Sequence, residues 1–145
     1  MAVTVRRAVT DDADAISALL LELGYRLDPL TITEKIYKFE DSGSCAYVAV
    51  ENKRVVGIVS LSIVPVFYTA GTVARITSLV VDQAVRGHGA GRALVAQAEA
   101  FAWEHGCFKI EVSADARLGA QQFYVTKGYQ IDEQRFFKLN PAQQE

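Results

Sequence analysis

A glycine-dense segment near the middle of the chain constrains the fold most strongly. Residues 80–94 run Val-Val-Asp-Gln-Ala-Val-Arg-Gly-His-Gly-Ala-Gly-Arg-Ala-Leu. This pattern is typical of a strand end, a tight loop with bare backbone and the start of a helix. Free N–H groups at a helix N-terminus, with the positive end of the helix dipole behind them, bind anions. The segment therefore predicts a phosphate or pyrophosphate site between a strand and a helix.

Hydrophobic periodicity and turn residues predict the other elements. We expect Thr10 to cap the first helix and the Thr31–Glu34 spacing to form a capping box for the second. The predicted strands are residues 3–6, 45–51, 54–64, 72–81, 107–113, 129–132 and 135–139, and the later helices are residues 91–105 and 118–127.

The predicted order is therefore β-α-α-β-β-β-α-β-α-β-β. The strand–helix–strand step over residues 72–113 requires a parallel pair of strands with a right-handed crossover, whereas the other strands are joined like hairpins. We therefore expect an α/β fold with a mixed sheet and helices on both faces, which is a three-layer sandwich. No internal repeat or linker divides the sequence, so residues 1–145 are predicted to form a single domain.

Composition limits the function. The chain has 145 residues, a formal net charge of −2 and a pI near 5.7, which argue against nucleic acid as a main partner. The longest apolar stretch, residues 55–67, is too short and too polar to span a bilayer, and we expect no signal peptide. The prediction is a cytoplasmic protein without a membrane partner. Cys45 and Cys107 lie in apolar runs without metal-ligand spacing, so we expect buried reduced thiols and no metal site.

Two common phosphate-binding motifs do not fit the glycine segment. No Gly-Lys-Ser/Thr closes it, as a Walker A loop would require. The Gly-His-Gly-Ala-Gly spacing also differs from the dinucleotide fingerprint, and the preceding strand follows a hairpin instead of opening a βαβ unit.

Two motifs together resemble the GNAT superfamily of N-acetyltransferases. Residues 86–91, Arg-Gly-His-Gly-Ala-Gly, follow Leu-Val-Val and are similar to its Arg/Gln-x-x-Gly-x-Gly/Ala signature. Residues 123–129, Phe-Tyr-Val-Thr-Lys-Gly-Tyr, resemble its Phe-Tyr-x-x-x-Gly-Tyr/Phe segment. The element order also fits, so the resemblance covers essentially the whole chain. Residues 79–81 and 135–138 look most like small-molecule amine acetyltransferases, of which the aminoalkylphosphonate N-acetyltransferases are an example.

The resemblance implies acetyl-CoA as the co-substrate. Backbone groups at the end of the fourth strand would bind the pantetheine arm, and the N–H groups of the glycine segment would bind the pyrophosphate. Arg86 and Arg92 would add positive charge, whereas His88 is expected to contribute only its backbone, with an exposed side chain. The predicted cofactor-binding residues are Leu79, Val80, Val81, Arg86, Gly87, His88, Gly89, Ala90, Gly91 and Arg92.

The resemblance makes Tyr124 the candidate catalytic acid, which protonates the departing CoA thiolate, although the ring can instead simply pack in the core. The attacking amine must be neutral, and many relatives place a Glu on the fourth strand to remove its proton. The matching residues 75–78 are Arg, Ile, Thr and Ser, so none is a base. Glu111, ordered water or a weakly basic acceptor remain open alternatives.

Arg75, which stands where an acid is expected, suggests an acceptor with an anionic group, such as an amino acid or an aminophosphonate. The leading hypothesis is direct acetyl transfer to the primary amine of a small molecule. The alternatives are a non-catalytic acetyl-CoA-binding sensor and a protein or peptide N-acetyltransferase. The aromatic final strands suggest a homodimer through edge pairing.

Overall fold

The chain divides into two units, residues Met1–Ser113 and Ala114–Glu145, and each is described by itself. That residues 1–145 form a single domain stays a prediction. No helix among the described residues is long and apolar enough to cross a bilayer. The computed structural model describes residues 2–40, 42–113, 120–132 and 135–143.

A five-stranded mixed sheet forms the centre of the first unit. Its strands lie side by side in chain order, with antiparallel pairs between the first four strands and a parallel pair between the last two. This confirms the predicted mixed sheet and its parallel step. In the turn before the third strand, Asn52 and Lys53 have φ of 52° and 65°, as a two-residue hairpin turn requires. The strands are β1 Thr4–Arg7, β2 Ser44–Glu51, β3 Arg54–Pro65, β4 Thr72–Val81 and β5 Cys107–Val112.

Helices cover both faces of this sheet, as predicted. On one face, Ile16 and Leu19 of the first helix and Ile32 of the second pack with Val48 and Ile58. The opposite face packs against the third helix in a separate cluster. The buried, reduced state predicted for Cys45 and Cys107 is also found, and burial raises the pKa of Cys45 to about 11. The helices of this unit are α1 Ala13–Glu22, α2 Pro29–Phe39 and α3 Ala90–Glu104.

The predicted caps of the first two helices are wrong. A 3-10 turn, Thr10–Asp12, precedes α1, and the Asp12 carboxylate accepts from the Val9 N–H at 2.8 Å. Asp28 caps α2 by accepting from the Thr31 N–H at 2.8 Å, since a proline follows at the first helical position. Asp28 therefore caps α2 with its side chain, whereas Asp12 closes the turn before α1 and makes no side-chain hydrogen bond to that helix.

The second unit contains one helix among its described residues, α4 Ala120–Val125, which ends two residues before the predicted end. The predicted loop 114–117 lies outside the described residues. The final hairpin is not found, because the described residues 129–132 and 135–139 form no strand. Phe136 and Phe137 are 93% and 86% exposed, and adjacent apolar residues lack the alternation that a half-buried strand needs. The homodimer expected through these residues stays a prediction.

Close packing at Gly57 gives a stability prediction. A Cβ at this position would lie 3.0 Å from Leu94 Cδ1 and 3.1 Å from the Val80 carbonyl oxygen. Gly57→Ala is therefore expected to lower the free energy of unfolding by about 1–3 kcal/mol, the usual cost of overpacking. Urea unfolding measures this change. Gly71→Ala is the control, because its nearest atom would lie at 3.5 Å; an equal loss in both variants would refute the packing argument.

Candidate active site

The end of β4 has one open edge. Its pairing with β5 runs from Thr72 to Ile76, and the described residues offer no β5 partner beyond that point. On the other edge, Leu79, Val80 and Val81 pair with Val59, Ile58 and Gly57 of β3. The main-chain groups on the open edge are therefore available to an extended ligand that carries amides of its own.

A β-bulge lies where β4 and β5 stop pairing. Ser60 pairs with Ser78 and Leu61 with Ile76, so Thr77 is the extra residue of β4. The Ser60 and Thr77 hydroxyl groups are hydrogen-bonded at 2.7 Å. Because a bulge bends its strand and increases the local twist, this position accounts for the end of the parallel pairing.

The glycine loop, residues 86–92, connects this open edge to α3. Gly87 and Gly89 have φ of +89° and +93°, a conformation that side-chain-bearing residues rarely adopt. Gly89 is the N-cap of α3, and its carbonyl oxygen accepts the first helical bond from the Ala93 N–H at 3.0 Å. The N–H groups of the first helical turn therefore have no partner within the helix.

Not every N–H group of the loop is equally available. The Arg86 N–H donates to the Gln83 carbonyl at 3.4 Å, and the His88 N–H donates to the Val85 carbonyl at 3.2 Å. Arg86 and Arg92 are exposed, and neither has a carboxylate partner within the described part of the chain. The strongest anion-binding groups are thus the amides of residues 89–92, together with these two guanidinium groups.

The His88 side chain is exposed, as expected, but it also has a partner that the sequence did not indicate. Its Nδ1 lies 3.2 Å from both carboxylate oxygens of Glu51, at the end of β2. The Glu51 side chain is only 7% exposed, whereas His88 is 51% exposed. Sequence reasoning missed Glu51, because no local pattern indicates a contact between a strand end and a loop so far along the chain.

Arg75 belongs to a charged cluster beside the bulge. Its neighbours Ala74 and Ile76 pack in the cluster with α3, so Arg75 points to the other face of the sheet. Its Nε and Nη2 groups donate to Glu111 Oε1 at 3.3 and 3.0 Å, and Lys109 Nζ lies 3.0 Å from Glu111 Oε2. The cluster holds two cations and one carboxylate.

These contacts make Glu111 a weak base. Partial burial acts to raise its pKa, but hydrogen bonds from Lys109 and Arg75 outweigh burial and lower the pKa of Glu111. A carboxylate with a lowered pKa has little tendency to take a proton at neutral pH.

Tyr124 lies in the second unit, where the turn after α4 fixes its position. The N–H of Tyr129 donates to the Tyr124 carbonyl and that of Gly128 to the Val125 carbonyl, both at 3.1 Å. Gly128 has φ of +91°, so this is a Schellman motif, and it brings the rings of Tyr124 and Tyr129 within 5.3 Å. Burial raises the pKa of Tyr124 to about 12, so the phenol holds its proton at neutral pH.

Comparison with known proteins gives consistent results. The model of the acetyltransferase (GNAT) family matches residues 14–129. Aminoalkylphosphonate N-acetyltransferase of Salmonella typhimurium is 32% identical over 137 residues, which cover 92% of this chain and 89% of that protein.

Solved structures share the fold. A Trypanosoma brucei acetyltransferase superposes with a TM-score of 0.82 at 25% identity and covers 96% of this chain and 99% of its own. Glucosamine-6-phosphate N-acetyltransferase of Arabidopsis thaliana has a TM-score of 0.83 at 17% identity, with 96% and 99% covered. The second likeness concerns the fold alone.

Proposed function

The chain belongs to the GNAT family of acetyltransferases and is an N-acetyltransferase, and we propose that it transfers the acetyl group of acetyl-CoA directly to the primary amine of a small molecule. The family uses acetyl-CoA in general. The observation that carries the proposal for this chain is the open edge of β4, which is followed by the 3-10 turn Gln83–Val85 and the glycine loop at the N-terminus of α3. The β4 edge would bind the extended, amide-bearing pantetheine arm, and the N-terminus of α3 would bind the pyrophosphate. Coenzyme A carries these two groups next to each other in the same order.

Direct transfer needs one attack and two proton movements. The amine nitrogen attacks the thioester carbonyl carbon, the new C–N bond forms and the C–S bond breaks. The sulfur leaves as a thiolate and takes the proton of the Tyr124 hydroxyl, which regains one from solvent. The extra proton on the attacking nitrogen goes to water. Tyr124 is the proposed acid because its phenol keeps its proton at neutral pH.

The acceptor supplies its own neutral amine in this proposal. Residues 75–78 contain no base, and Glu111 is already held by two cations. An amine as basic as lysine is mostly protonated at pH 7, so the reacting fraction must first lose its proton. In this proposal the proton goes to water, and no side chain is dedicated to removing it.

We further propose that the acceptor carries an anionic group that binds at Arg75. The Arg75 side chain is 42% exposed, and its Nη1 group has no partner among the residues that the structure describes. Together with Lys109, it leaves the cluster with an excess of positive charge. A carboxylate or phosphonate fits a guanidinium fork. The aminoalkylphosphonate acetyltransferase among the relatives makes aminophosphonates the first acceptors to test.

A matched pair of acceptors tests the anionic group. With acetyl-CoA in a thiol-release assay, we expect an amino acid or aminophosphonate to be a better acceptor than its uncharged amide or ester. Arg75→Gln should lower kcat/KM for the anionic acceptor by about tenfold or more, the usual value of a charge-assisted hydrogen bond, and should leave the uncharged one nearly unchanged.

Arg7→Gln is the control, because Arg7 packs over the rings of Tyr47 and Phe101 on the α3 face. Turnover of cationic amines or peptides alone would refute the anionic acceptor. If acetyl-CoA binds but no amine releases thiol, the non-catalytic sensor becomes the better account.

A further inference from the structure

Glu51 is a buried carboxylate that the proposed acetyl transfer does not use. It closes β2, pairs with Arg54 across the hairpin and is one of three polar or charged residues among the buried part of the described chain. Within that part, its side-chain partner is His88. A buried carboxylate without a partner is costly, so this contact accounts for how the charge is tolerated.

His88 is fixed at both its backbone and its ring. Its N–H donates to Val85, its Nδ1 faces Glu51, and the glycines on either side have positive φ. The ring is therefore held at the end of β2. A side chain without this partner could rotate over the loop and cover the amides of the first helical turn.

We propose that the Glu51–His88 pair positions the glycine loop for the pyrophosphate of the acetyl donor. The pair is a positioning device: neither side chain is assigned contact with the cofactor. Glu51 places a negative charge near an anion-binding loop, and the imidazole N–H is the group that offsets it. This inference rests on acetyl-CoA as the donor, as proposed above.

The consequence is a defect that depends on the donor. His88→Ala should lower kcat/KM for acetyl-CoA by about tenfold, the scale of one charge-assisted hydrogen bond, because Glu51 loses its partner and the loop its anchor. S-acetylpantetheine lacks the pyrophosphate, so kcat/KM with that donor should change less than twofold. Glu51→Gln keeps an oxygen that can accept a hydrogen bond from His88, so it should lower kcat/KM for acetyl-CoA less than His88→Ala does.

A double variant tests whether the two residues act as a unit. Glu51→Gln combined with His88→Ala should lower kcat/KM for acetyl-CoA no more than His88→Ala alone. His88→Ala leaves the Glu51 carboxylate buried without a partner, and the double variant removes that carboxylate. His105→Ala is the control: His105 lies at the other end of α3, where its Nδ1 is 2.8 Å from the Phe101 carbonyl oxygen. His105→Ala should leave kcat/KM unchanged with both donors.

The outcomes separate this inference from the proposed function. The dissociation constant of CoA for the unaltered protein is measured first by calorimetry; absence of binding refutes the donor itself. If CoA binds, a loss confined to acetyl-CoA supports the positioning role. An equal loss with both donors, or no loss with either, overturns it and leaves the donor assignment intact.

Discussion

Replacing Gly89 with valine is expected to reduce kcat/KM for acetyl-CoA by about 100-fold. A non-glycine residue held in a left-handed conformation costs about 1–3 kcal/mol, and a β-branched one lies at the upper end. Each 1.4 kcal/mol corresponds to a factor of about ten. Nothing lies within 4 Å of a Cβ at this position, so the loss comes from the backbone and not from a clash. A valine that relaxes to negative φ turns the first-turn amides of α3 away from the pyrophosphate.

Gly106→Val is the matched control for this experiment. Gly106 has φ of +76°, also has nothing within 4 Å of a Cβ, and follows the other end of α3. Both variants should lose a similar free energy of unfolding, but only Gly89→Val should lose affinity for the donor. Equal kinetic losses in both would show that general destabilisation, rather than the anion site, explains the effect.

Tyr124→Phe is expected to lower kcat by about 100-fold at pH 7–9 and to leave the dissociation constant of CoA unchanged. Phenylalanine keeps the ring that packs edge-to-face against Tyr129 and removes only the hydroxyl group. Steady-state kinetics and calorimetry with CoA together separate turnover from binding. Tyr47→Phe is the control, because the Tyr47 hydroxyl accepts from Arg7 at 3.2 Å within the first unit.

The raised pKa of Tyr124 also sets an expectation for pH. Because the folded value is about 12 and the ordinary value about 10, the acid stays protonated until the solution is strongly alkaline. The stability that the buried neutral phenol contributes is complete below pH 10 and is lost as pH rises towards 12. An alkaline loss of activity near pH 8 that disappears in Tyr124→Phe would contradict this assignment, as would unchanged kcat in that variant.

Local patterns in the sequence predicted most of the fold. The predicted bounds of β4 match the structure, and Asn52 and Lys53 form the turn between the predicted strands 45–51 and 54–64. The glycine loop lies at the start of α3, where the sequence predicts free backbone N–H groups. This could be predicted because both the glycine spacing and a helix terminus depend on neighbouring residues. The caps were missed because a 3-10 turn precedes α1 and because α2 begins two residues before Thr31, at the proline that follows Asp28.

Contacts between distant residues could not be predicted. The bulge at Thr77 depends on the register of β3 against β4, which a single strand sequence does not encode. Glu51 meets His88, and Glu111 meets Arg75, only after the sheet has formed. The strand position of Glu111 makes it a candidate base, but its two cationic partners, Lys109 and Arg75, lower its pKa and make it a weak base.

One measurement tests the donor site most directly: amide chemical shifts of the ¹⁵N-labelled protein during titration with CoA and, separately, with pantetheine. The account predicts that CoA shifts the amides of residues 79–81 and 89–92, and that pantetheine shifts residues 79–81 but not the first turn of α3. Saturable CoA binding that leaves residues 89–92 unchanged would contradict the assignment of the glycine loop to the pyrophosphate.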